Sequence, residues 1–139
     1  MADVFDVSKY ILSRQGSMVP QKLEKLCYYA YVWQLVWTEE KLFSEQIIAW
    51  DHGPIIPELF DVHKGMFSID QDSLCLGNAD NLNADQKETV DIILEKLKDW
   101  SALDLSNKTH EETPWIEAYK TENKIITDKA IIDFYGKYE

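Results

Sequence analysis

Val19-Pro20-Gln21-Lys22-Leu23-Glu24-Lys25-Leu26-Cys27-Tyr28-Tyr29-Ala30-Tyr31-Val32-Trp33-Gln34-Leu35-Val36-Trp37 is the stretch whose reading decides the fold. Pro20 suits the first position of a helix, where its missing N–H costs nothing and its fixed φ is already helical. Leu23, Leu26, Cys27, Ala30, Trp33 and Trp37 then recur at helical spacing and define one apolar face. Tyr28, Tyr29, Val32, Leu35 and Val36 make the opposite side apolar as well. A helix that is apolar all round has to be enclosed by other elements. The apolar run after Leu26 is too short for a membrane span, which needs roughly 20 residues. The stretch therefore predicts the buried central helix of a soluble domain, in which each tyrosine hydroxyl needs a partner or an exit to water.

The totals agree with that. A length of 139 residues fits one domain, residues 1–139, and 45% hydrophobic residues supply a packed core. The start, Met1-Ala2-Asp3-Val4, has no basic segment followed by an apolar run, so no signal peptide is expected and cytoplasmic residence is predicted. Cys27 lies inside the central helix and Cys75 far from it, which favours buried reduced thiol over disulfide for Cys27. The formal net charge of −11 repels phosphates, so direct nucleic-acid binding is not expected. The same field would steer a basic partner inward, although an acidic surface also simply keeps a protein in solution.

Outward from the central helix, Asp3 reads as an N-cap, with Asp6 in the first turn and Val4, Val7, Ile11 and Leu12 as an inward stripe ending at Gly16. Gln46 to Asp51 reads as a short strand rich in β-branched and aromatic residues. Asp51-His52-Gly53-Pro54 reads as a turn, and Pro57 to His63 as a short helix. Residues 65–83 form an irregular connection, with Ser73-Leu74-Cys75-Leu76 as a candidate second strand. Asn83 with Gln86 resembles a capping box that opens a helix to about Trp100, with Val90, Ile93, Leu94 and Leu97 on its inner face. Ser101 with Asp104 restarts a helix to about His110, Thr113-Pro114 begins another, and Thr127 or Asp128 caps a last one bearing Ile131, Phe134, Tyr135 and Tyr138. The expected fold class is mainly α: one compact domain of six to seven helices around a buried central helix, with a minor short β element.

Catalytic chemistry has little to stand on in the sequence. His52, His63 and His110 lack zinc-site spacing, and no metal or cofactor is predicted. His63 reads as a surface or rim residue. His52 and His110 stand beside Asp51 and Glu111, but turns use such residues more often than proton transfer does. Asp70-x-Asp72 begins like a calcium loop and then fails at Leu74 and Asn81. The tryptophans are more informative. Trp33 and Trp100 read as core, whereas Trp50 and Trp115 stand at element edges beside rigid turns, where core-capping aromatics and protein-binding anchors both occur.

Three segments together resemble a known family: Lys22 to Ala30, Ile48-Ala49-Trp50-Asp51-His52-Gly53-Pro54-Ile55-Ile56-Pro57-Glu58, and Leu105 to Trp115 with its Thr109-His110-Glu111-Glu112-Thr113-Pro114. In this order and spacing they resemble the Panacea domain of SocA-like and GepA-like antitoxin and phage-associated proteins, from about Phe5 to Tyr135. His52 stands where the family commonly has tyrosine, and Cys27 replaces an aliphatic residue. The resemblance implies a non-enzymatic, mainly helical module that neutralises a co-encoded toxin by direct binding. It implies as an alternative an adaptor that delivers the toxin to a ClpXP-type protease. A small hydrolase using a His–carboxylate pair is the remaining rival. Some relatives carry an additional DNA-binding domain, which this chain is expected to lack. The expected protein-binding residues are Trp50, Asp51, His52, Gly53, Pro54, His110 and Trp115.

Overall fold

The computed structural model describes residues 2–138. Among them the chain forms seven α-helices and one three-stranded antiparallel sheet. Helices α1 (Val4–Gln15) and α2 (Pro20–Thr38) lead into strands β1 (Ile47–Trp50) and β2 (Gly53–Ile55) and helix α3 (Pro57–His63). After the irregular connection come α4 (Ala84–Leu97), α5 (Ala102–His110), α6 (Thr113–Tyr119), β3 (Ile125–Ile126) and α7 (Asp128–Tyr135).

Helix α2 is the enclosed post. It touches α1, α3, α4, α5, α7 and β2, and Leu23, Leu26, Cys27, Tyr28 and Val32 are wholly buried. Each large apolar side chain so buried contributes about 1.5–3 kcal/mol. Trp37, expected on the apolar face, instead lies exposed at the helix end, where the surrounding elements no longer reach. The tyrosine hydroxyls of α2 all find partners. Tyr31 donates to Asp128 Oδ1 at 2.6 Å. Tyr29 (2.5 Å) and Tyr135 (2.9 Å) both donate to Glu112 Oε1, which leaves Tyr28 to donate to Tyr135 at 2.9 Å. Lys108 completes the set by pairing with Glu112 Oε2 at 2.9 Å, so the carboxylate receives three donors.

Local signals place the helix starts. Reciprocal capping boxes open α1 (Asp3, Asp6), α4 (Asn83, Gln86) and α5 (Ser101, Asp104), and Thr127 rather than Asp128 caps α7 through Ala130 N–H. Helix α4 ends at Leu97, short of Trp100, because the next capping box at Ser101 restarts the chain. Trp100 is then 37% exposed, not core.

The minor β element is a small three-stranded sheet. Sheet order is β2-β1-β3, with Ile48 opposite Ile55, Ala49 opposite Pro54, and Ile47 opposite Ile126. The turn is only Asp51-His52, and Gly53-Pro54 belong to β2. Proline is accommodated there because β2 is an edge strand. Ser73–Leu76 is not a strand: the Asp70 carboxylate takes the Asp72 and Ser73 N–H groups and closes a turn instead. The connection is tied down by a Met18–Ile69 bridge and by Asp6, which accepts from Asn78 N–H at 2.8 Å.

Candidate functional site

All seven sequence-predicted residues converge on the β1–β2 turn. Asp51 and His52 keep ordinary negative φ, so the turn places its positive φ (119°) on Gly53. A Cβ at Gly53 would stand 2.8 Å from Lys25 Cε and 2.9 Å from Thr109 Oγ1, so the backbone there is pressed between α2 and α5.

Three successive carbonyls of this turn are held by the α5–α6 corner. Trp115 Nε1–H donates to Trp50 O at 2.9 Å, His110 Nε2–H to Asp51 O at 2.8 Å, and Ser106 Oγ–H to His52 O at 2.6 Å. A carbonyl only accepts, so His110 carries its proton on Nε2. The Asp51 carboxylate accepts from the Tyr119 hydroxyl. His110, Trp115 and Tyr119 form an aromatic row, with centroids 4.2 Å apart in the first pair and 4.6 Å in the second. Lys124 Nζ sits over the Tyr119 ring at 4.2 Å and donates to Tyr119 O at 2.7 Å. On the other flank Trp50 meets Phe60 edge-on at 5.0 Å.

The seven residues thus divide. Trp50, Asp51 and His52 are exposed at the tip, Gly53 and Pro54 are buried beneath it, and His110 and Trp115 are half-buried struts. The His–carboxylate arrangement that a hydrolase would use is not assembled at the turn: the His110 ring nitrogen meets a backbone carbonyl, and among the described residues His52 has no carboxylate within 4 Å. The only such pair among the described residues is His63–Glu24, 2.7 Å apart and closed to solvent. His63, read from sequence as a rim residue, is 2% exposed because α3 turns it onto α2. Among the described residues no three His, Cys, Asp or Glu side chains gather as a metal site.

Sequence reasoning missed the floor of the site. Glu24 and Lys25 are both fully buried. Glu24 Oε1 accepts from Ile56 N–H at 2.9 Å, and Oε2 from His63. Burial raises the Glu24 carboxyl above its ordinary value, against the lowering effect of those two donors. Among the described residues Lys25 Nζ has one acceptor, Gln21 Oε1 at 3.0 Å, and burial pushes it down to about 8 against the raising effect of the Glu24 charge. Two adjacent charges inside a helix that must be enclosed were the available signal, since buried ions require partners.

The family model "Antitoxin SocA-like, Panacea domain" matches residues 23–116, more than half of the chain. The chain belongs to the Panacea domain family. No curated protein and no solved structure matches it. The matched Panacea segment contains Glu24, Lys25, the whole β1–β2 hairpin, α5 and the first turn of α6. The pinned turn and the buried charges below it are therefore parts of the Panacea domain itself, while Tyr119 and Lys124, which complete the rim, lie beyond the matched span. Among the described residues no helix is long and apolar enough to cross a membrane.

Proposed function

We propose that this Panacea domain is an antitoxin module that neutralises a toxin encoded beside it by direct, non-catalytic binding, with the β1–β2 turn as the contact. One observation carries the reading: three consecutive carbonyls are tied inward, so Trp50, Asp51 and His52 point outward on a preorganised backbone. A turn fixed before contact loses little entropy on binding, and an exposed tryptophan at its edge is a common anchor of protein interfaces. Trp50, Asp51 and His52 make the contact, while Gly53, Pro54, His110 and Trp115 hold it in shape. The net charge of −11 favours a partner with a basic surface. A stable complex would bury roughly 1,200–2,000 Å² in total.

Expression of the adjacent reading frame alone tests this. Growth arrest is expected, relieved by co-expression of this chain. Unimpeded growth, or arrest without rescue, overturns the reading. Toxin half-life then identifies the mode: occlusion leaves it unchanged or longer, whereas delivery to a ClpXP-type protease shortens it.

A further inference from the structure

Two cavities open beside the turn and share Gln21 and His52 as their common wall. The larger, about 530 Å³, is walled mainly by the apolar faces of Trp50, Ile55, Phe60 and Tyr119, with Asp51 and Lys124 also on its lining. The smaller, about 440 Å³, has Lys25 at its floor with Ala102, Leu103 and Ser106 around it. An ammonium has three N–H donors. Lys25 has one acceptor, the neutral amide of Gln21, and among the described residues no carboxylate lies within 4 Å of it. Glu24, next in sequence, bonds Ile56 and His63 rather than Lys25. Burial lowers the proton affinity of Lys25, and the charge of Glu24, which acts only through space, offsets part of that effect. Lys25 and its acceptor, the half-buried Gln21, both line the smaller cavity.

We propose that this cleft reads a short segment of the toxin in which a large apolar residue adjoins an aspartate or glutamate. The apolar side chain fills the cavity at Trp50 and Phe60. The carboxylate enters the smaller cavity and pairs with Lys25 as Gln21 turns aside. A singly charged carboxylate suits the smaller cavity better than a phosphate dianion, because among the described residues Lys25 is the one cation on its lining and the chain is strongly acidic. This inference rests on the toxin-binding reading above.

The test uses the product of the adjacent reading frame as probe and compares Kd for the wild-type chain, Lys25→Met, Leu103→Glu and Leu103→Gln. Leu103 is 68% exposed, so its variants keep the fold even if Lys25→Met does not. Expected are losses of at least about tenfold for Lys25→Met and Leu103→Glu, and less than about threefold for Leu103→Gln. Neutralising one acidic residue of the toxin is expected to cost the same factor and to add nothing to Lys25→Met. Binding within about twofold of wild type by both Lys25→Met and Leu103→Glu overturns this inference and leaves the antitoxin reading standing. Failure of the wild-type chain to bind removes the antitoxin reading, and this inference with it.

Discussion

Glu24 and Lys25 are neighbours in sequence, equally buried, and opposite in circumstance. On the Glu24 side of α2 the carboxylate meets a backbone N–H at the start of α3 and the ring of His63 at its end, so the charge clamps a helix at both ends. On the Lys25 side the ammonium has one neutral acceptor, a glycine backbone overhead and a cavity beyond. A buried ion with all its bonds made works for the fold. One left short of partners on the cavity side is available for recognition. The same helix thus separates the structural half of the Panacea domain from the half proposed to meet a partner.

The largest expected effect falls on the closed side. Glu24→Ala leaves the His63 ring and the Ile56 N–H without an acceptor in a dry interior, and should destabilise by about 3–5 kcal/mol in urea unfolding. On the open side Lys25 should respond to pH instead. Its ordinary value is 10.5 and burial lowers it to about 8, so between these limits the unfolded chain binds more protons and stability rises with pH. Relative to Lys25→Met, the wild type should gain on the order of 2–3 kcal/mol from about pH 7 to about pH 10, a window free of the opposing tyrosine contribution once the variant is subtracted. A flat difference would place Lys25 in a better solvated site than the structure gives it.

Gly53 covers the Lys25 side. Gly53→Ala combines a φ of 119° with contacts under 3.0 Å to Lys25 and Thr109, and should cost about 2 kcal/mol in thermal unfolding. The smallest effect belongs to the tip. His52→Ala removes an exposed ring while its carbonyl keeps the Ser106 bond, and stability should stay within about 0.5 kcal/mol of wild type. A large loss there would make His52 part of the frame rather than the contact surface.

Much of this architecture was legible because it is written locally. The three capping boxes join residues three apart, the proline at the start of α2 acts on its own turn, and a helix apolar on every side admits only burial. The convergence of Trp50, Asp51, His52, Gly53, Pro54, His110 and Trp115 was legible as a set, since the hairpin and the α5–α6 corner each carry a recognisable segment. Their division into exposed tip and inward strut was not, because the bonds that make it join residues more than fifty positions apart. Nor was the two-residue strand β3, too short to show a period.

The sequence alone thus determined a helical domain wound around Pro20–Thr38, because hydrophobic periodicity and caps act within a few residues. Only the tertiary structure decided that His63 closes on Glu24, 39 positions away, that Glu112 collects Tyr29 from 83 positions away, and that among the described residues Lys25 bonds a neutral amide and no carboxylate. The partner of a buried charge is a property of three-dimensional proximity, and no local pattern along the chain encodes it.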